Sequence, residues 1–253
     1  MMRTIRLILP LVFLAVGTSC LKTVSSGNTL NPAGLAFVNM AIAAPSFSVT
    51  VDETTVGTEL TFPYASYDSI GPEGALKYTT VFAGIHSGAF LDSTILDTAA
   101  GNVLVSGQTQ FSNNLKYSIY LFDTLTGTGL QAVQILDSYD SIPSSLALMR
   151  FLNFCPSINA IDLWVKSDTG NVLLLSNQPY AGSGNISSSS LSTYSLTVLP
   201  TVYTFYFLAS GTPNVIDSLT INVLPNKAYS MFVTGLIDST GQKAFTAGYI
   251  NMN

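Results

Sequence analysis

From about Leu35 onward the chain alternates short apolar-rich runs with turn residues, and no long stretch carries the three-to-four-residue spacing of an amphipathic helix. The runs 35–39, 47–52, 78–83, 102–106 and 117–122 have the length and the β-branched and aromatic content of strands. In the second of them Phe47, Val49 and Val51 alternate with Ser48, Thr50 and Asp52. Residues two apart in a strand share a face, so this strand turns one apolar face to a core and one polar face away. The number and spacing of such runs predict an all-β chain of sandwich type.

The same order then recurs. Phe47, Val49 and Val51 match Ile161, Leu163 and Val165, and the preceding Ala36-Phe37-Val38-Asn39 matches Arg150-Phe151-Leu152-Asn153, both at an offset of 114. Tyr78 matches Tyr194 at an offset of 116, and Asn114, Tyr117 and Ser118 match Asn226, Tyr229 and Ser230 at 112. Three blocks in one order with so little drift indicate a tandem duplication with a seam near Pro143. Phe111 stands six residues before Tyr117 and Val223 six before Tyr229, as in the tyrosine corner of immunoglobulin-like sandwiches. The expectation is therefore two tandem immunoglobulin-like antiparallel β-sandwich domains, 34–142 and 143–253.

The opening strands of both copies also carry a family resemblance. Phe37-Val38-Asn39 with Ala44-Pro45 and Val49-Thr50-Val51-Asp52, and more clearly Arg150 to Asn153 with Pro156 and Ile161-Asp162-Leu163-Trp164-Val165, resemble the bacterial domain of unknown function family 4397. The first copy departs by placing Ser48 where the second has Asp162. The resemblance implies an exported, often lipid-anchored protein with an immunoglobulin-like fold, and it implies no activity.

The N-terminus points the same way. Arg3 and Arg6 precede an apolar run over 7–16, and Gly17-Thr18-Ser19 lead to Cys20, the layout of a secretory signal. The apolar run is about half of the roughly 20 residues a helical span needs. Gly17 to Cys20 resembles a bacterial lipobox, so residues 1–19 are expected to be removed as a lipoprotein signal peptide. Cys20 is then lipidated with palmitate or a similar acyl chain, and 20–33 forms a flexible tether. A plain signal cut near Ser19 is the alternative. Leu21 follows the cysteine where Asp commonly retains such proteins in the inner membrane, so the expected location is the outer membrane. The membrane, through the lipid, is the first expected partner.

Composition narrows the function further. The chain is 47% hydrophobic but only 9% charged, with a net charge of −5. Beyond residue 20 its cations are the scattered Lys22, Lys77, Lys116, Arg150, Lys166, Lys227 and Lys243, which make no basic patch for nucleic acid. Cys155 has no cysteine to pair with once Cys20 is acylated, and its counterpart is Ala41, which suits a small buried side chain.

No residue set specifies a reaction, a metal or a cofactor. His86 is the single histidine, in Gly84-Ile85-His86-Ser87-Gly88, and reads as a surface turn residue that cannot alone build a zinc site. Asp137 and Asp140 lack the dense acidic loop of a calcium site. Nine of the eleven aspartates precede Ser or Thr, which suits turn chemistry. Seven of those triplets resemble O-glycosylation acceptors and make Ser69, Ser93, Thr98, Thr124, Ser141, Ser218 and Ser239 candidate modified residues. Trp164, opposite the face formed by Ile161, Leu163 and Val165, stands beside Asp162, and the two are candidate ligand-binding residues. The expected function is that of a non-enzymatic, lipid-anchored cell-envelope protein acting as a structural or interaction module. The alternative is a glycan-binding surface module using exposed aromatics such as Trp164, so a glycan or another envelope protein is the second expected partner.

Overall fold

The computed structural model of the chain describes residues 31–42, 46–60, 64–65, 76–92, 103–124, 129–139, 141–168, 170–184 and 186–252. Cys20, the signal segment and most of the tether lie outside the described residues. In the first half the strands are β1 (Ala33–Ile42), β2 (Phe47–Val51), β3 (Thr54–Leu60), β4 (Tyr64–Ala65), β5 (Thr79–Val81), β6 (Gly84–Asp92), β7 (Val103–Phe111), β8 (Lys116–Thr124) and β9 (Gln131–Leu136). In the second half they are β10 (Ala147–Asn153), β11 (Ala160–Ser167), β12 (Gly170–Pro179), β13 (Leu196–Val198), β14 (Val202–Ala209), β15 (Val215–Asn222), β16 (Ala228–Thr234) and β17 (Thr246–Asn251). One short helix, α1 (Ser188–Ser192), begins on the side chain of Ser187, which accepts the Ser190 N–H.

These strands form four sheets. One has the order β4-β1-β8-β9, with β5 also on β1, and faces β3-β2-β6-β7; the other two are β13-β10-β16-β17 and β12-β11-β14-β15. The same pairing thus occurs twice, as two β-sandwiches. Within each, one central pair is parallel, β1 with β8 and β10 with β16, where an antiparallel arrangement was expected throughout. The remaining ladders are antiparallel.

Local details repeat as well. Asn114 and Asn226 both adopt a left-handed backbone, with φ of 61° and 57°. Asn tolerates this region better than most residues. The turn lets the Tyr117 hydroxyl accept the Ser112 N–H at 3.2 Å and the Tyr229 hydroxyl accept the Leu224 N–H at 3.0 Å. Buried Asn39 and Asn153 each accept the N–H two residues on, from Ala41 and from Cys155, at 3.0 Å. The strand pairing differs from the motif spacing at one point: Val81 and Val198 hold equivalent places opposite Ala33 and Ala147, one residue beyond the spacing of Tyr78 and Tyr194.

Three apolar cores separate the four sheets. Phe47, Val49, Phe90 and Phe111 belong to the first sandwich, and Ile161, Leu163, Phe205 and Phe207 to the second. A third joins Val38, Met40, Tyr120 and Phe122 of the first half to Phe154 and Phe232 of the second. Nearly every residue of β1 and every residue of β16 is buried, so these strands are covered on both faces. Near-continuous apolar runs such as Leu35–Ile42 follow from that two-sided burial, which parallel pairs require. Each fully buried large apolar side chain contributes roughly 1.5–3 kcal/mol, so the middle core binds the halves strongly.

His86 is not a surface turn residue. It sits within β6, its side chain 13% exposed, and packs on the Phe111 ring at 5.5 Å. Its two neighbouring glycines read as turn formers in the sequence, but Gly84 and Gly88 are both paired in the sheet, opposite Phe111 and Gly107.

Candidate functional site

Where the two halves meet, β9 of the first sheet ends at Leu136 and the chain passes through Asp137 toward β10. Asp137 is fully buried and takes three donors from three strands or loops. Arg150 Nη2 donates to its Oδ1 at 2.5 Å, while the Tyr78 hydroxyl at 3.0 Å and the Ser118 hydroxyl donate to Oδ2. Arg150 also donates to Ser230 Oγ at 2.7 Å and to the Leu136 carbonyl at 3.2 Å, and lies 5.0 Å from the Tyr194 ring centroid. Burial disfavours the guanidinium charge, but Asp137 outweighs it and holds the Arg150 pKa above its ordinary value. Tyr78 is pushed up, by burial first and by Asp137 second. The carboxylate weighed as a calcium ligand is therefore the counter-ion of Arg150.

Above this buried pair lies an open groove of about 1140 Å³, floored by the two half-buried rings of Tyr139 and Tyr194. The rings meet edge to face, with centroids 5.4 Å apart and planes at 82°. One wall is the β7 and β9 edge with Gln108, Gln110 and Gln134; the other is α1 with Ser188, Ser189 and Ser192. Ser192 ties the walls together by accepting the Leu136 N–H at 3.0 Å. Among the described residues no Asp, Glu, Lys or Arg lines the groove, and the chemistry of those that do is that of amides, hydroxyls and tyrosine faces.

The two ligand-binding residues singled out by sequence, Trp164 and Asp162, lie elsewhere. Trp164 is on the outer face of β11, half-buried and paired opposite Tyr206 of β14, while Ile161, Leu163 and Val165 point into the core as expected. Its indole N–H is covered by protein and has no hydrogen-bond partner among the described residues. Asp162 holds two loops: it accepts the Asn177 N–H at 2.7 Å and the Gly211 N–H at 3.2 Å. Burial acts to raise its pKa, but these bonds and one from Ser210 outweigh that and hold the carboxyl below its usual range. Both oxygens of Asp162 are thus engaged in fastening backbone.

Of the candidate modified hydroxyls, Ser69, Ser93 and Thr98 fall outside the described residues. Ser141 is exposed at the rim of the groove and Ser218 is exposed on β15. Thr124 and Ser239 are half-buried. Two of the acids before them hold backbone: Asp217 accepts the Ser218 N–H at 2.7 Å and Asp123 the Thr124 N–H at 2.8 Å. Cys155 is fully buried, its thiol 3.2 Å from Ser157 Oγ and its pKa pushed up by burial. Tyr139 and Tyr194 were not identified from sequence as a pair. Tyr194 was visible as a duplicated position, but nothing in the chain order brings it to Tyr139.

A family model described as "Domain of unknown function (DUF4397)" matches residues 33–164, which run from β1 to the middle of β11. No curated protein matches the chain. Three solved structures align over most of its length. One is a CBM26 module from Eubacterium rectale Amy13K, solved in complex with maltoheptaose. It is 11% identical, covers 86% of this chain and 96% of its own, and has a TM-score of 0.23. A streptococcal virulence factor described as binding alpha-glucan is 13% identical, with 84% and 95% covered and a TM-score of 0.25. A cell adhesion protein of Bacteroides eggerthii, so named provisionally, is 10% identical, with 89% and 98% covered and a TM-score of 0.24. Likeness at this level carries no argument about the groove.

Proposed function

Because this chain belongs to the DUF4397 family, which its description leaves without an activity, we propose from its own geometry that it is a non-catalytic binding module of the cell envelope. In this reading residues 1–19 are removed and Cys20 carries the lipid. The tether 20–33 holds the units 34–142 and 143–253 at the outer membrane. Labelled palmitate is expected to enter the native chain and to be absent from a Cys20→Ala variant; equal labelling of both would overturn the anchor.

The groove between the halves is the proposed binding surface, and a neutral glycan is its proposed ligand. The single observation that carries this is the described lining: two tyrosine rings meeting edge to face, with amides on one wall and hydroxyls on the other. Sugar rings offer apolar faces to aromatic rings and many hydroxyls to amides, and an uncharged wall imposes no desolvation of an ion. Trp164 is the weaker anchor, since Asp162 beside it is taken up by backbone.

A glycan array with the native chain is expected to give a hit that Tyr139→Ala weakens about tenfold, the equivalent of roughly 1.4 kcal/mol. Trp164→Ala should bind as the native chain does. An array without hits, or Tyr139→Ala binding at native strength, would remove the groove reading.

A further inference from the structure

The first sandwich is hollow at places where the second carries large apolar side chains. Between its sheets lies a cavity of about 220 Å³, walled by Phe37, Val49, Phe90, Phe111 and Ile119 and opening between the edge strands β7 and β9. Strand register allows the halves to be compared place by place. Gly88 pairs with Val51 and with Gly107; at the same places Phe205 pairs with Val165 and with Leu219. Along the same strands Thr109 stands where the second half has Ile221, and Gln134 where it has Tyr249. Phe205 and Ile221 are fully buried, and Leu219 and Tyr249 pack against the same core. Four side chains that fill the second sandwich are therefore smaller or more polar in the first, and all four replacements line the cavity.

The two glycines are not explained by the backbone. Neither has a positive φ, a Cβ on Gly107 would meet nothing within 4 Å, and one on Gly88 would meet only the Thr50 carbonyl oxygen, at 3.8 Å. An extended strand would accept side chains at both, and glycine there weakens it. The hollow is thus kept at a cost to the fold, and the sequence of the second half shows how it could be filled.

The wall also limits what could enter. It is mainly apolar, and among the described residues it holds no Asp, Glu, Lys or Arg. His86 is taken up at both nitrogens, with Nδ1 2.6 Å from Asp52 Oδ2 and Nε2 2.7 Å from the Phe82 carbonyl oxygen. Gln134 spans the mouth from β9: its Nε2 donates to the Gln110 carbonyl at 3.1 Å, and its Oε1 accepts the Thr109 hydroxyl. Apolar protein cavities of roughly 150 Å³ admit benzene.

We propose that the first sandwich binds a small uncharged organic ligand, its ring-sized apolar body between the sheets and a hydroxyl or carbonyl meeting Gln134 and Thr109 at the mouth. This does not rest on the groove reading. Titrating the native chain with benzyl alcohol is expected to give a saturable rise in Tm, with benzoate and benzylamine giving little, because their charges would be buried without a partner. Gly107→Leu, which copies Leu219, should raise the Tm of the free protein and lose the ligand response. Gly88→Val should do the same, and carries the test if the first variant does not fold. Tyr139→Ala should respond to benzyl alcohol as the native chain does, which separates this site from the groove. Absence of any shift with benzyl alcohol, phenol or indole, or a shift that survives in folded Gly107→Leu or Gly88→Val, would overturn the proposal.

Discussion

Replacing Asp137 by Ala is expected to lower the stability of the whole chain by about 3–5 kcal/mol, measured by urea or thermal unfolding. The size follows from what is left behind. Arg150 has a side chain only 1% exposed, so it would keep a full charge away from water with the Ser230 hydroxyl, the Leu136 carbonyl and the Tyr194 ring to meet it but no counter-charge from Asp137. Tyr78 and Ser118 would each lose an acceptor at the same time. Arg150→Met should cost less, since a flexible apolar side chain can fill part of the space and the Tyr78 and Ser118 hydroxyls still donate to the carboxylate. The double variant Asp137→Leu with Arg150→Met should recover much of the loss, because replacing a buried pair by apolar groups is often neutral or better. A cost below about 1 kcal/mol for Asp137→Ala would mean that the pair is not what clamps the halves.

The second large effect concerns the halves themselves. Expressed alone, residues 143–253 should fail to give a soluble monomer, by light scattering or size exclusion, although the fragment contains all the strands of one sandwich. The reason is the middle core. Separation would bare Phe154 and Phe232 on one side and Val38, Met40, Tyr120 and Phe122 on the other, a contiguous apolar face of the kind that drives association. It would also break the bonds that cross the seam, such as the Thr234 hydroxyl to the Met40 carbonyl at 2.9 Å and the Tyr180 hydroxyl to Asp123 at 2.7 Å. The native chain should accordingly unfold in one transition. A fragment that stays monomeric and melts cooperatively would show that each sandwich stands by itself.

These two features mark where sequence reading reaches and where it stops. The two sandwiches were legible because alternation and turn chemistry are local: Phe47-Val49-Val51 against Ile161-Leu163-Val165, and a left-handed Asn three residues before each corner tyrosine. What those strands pack against was not. A run such as Leu35–Ile42, apolar on both faces, announces that both faces are covered, but nothing local says that the second cover is the other half. The hollow was hidden for a related reason. Gly84 and Gly88 around His86 look like a turn until the ladder sets Gly88 beside Gly107, residues that stand nineteen places apart in the chain. The pairing of Arg150 with Asp137 was equally out of reach, since each has a plausible surface role when read alone, and Arg150 aligns with Ala36 in the first copy. Tyr139 and Tyr194 likewise come together only through the meeting of the halves.

The parallel pairs at the centre of each sandwich also govern the order in which the molecule can form. Gly34 must wait for Lys116 and Leu148 for Ala228, so neither central ladder can close from a hairpin, and every intermediate contains a β1 that is oily on both sides. Contacts so distant along the chain demand a large loop-closure entropy before they return any energy, which makes folding slow. During that interval the exposed β1 is the segment with most to gain from an attendant chaperone, and the one most prone to pair with its copy in a second, equally unfinished molecule.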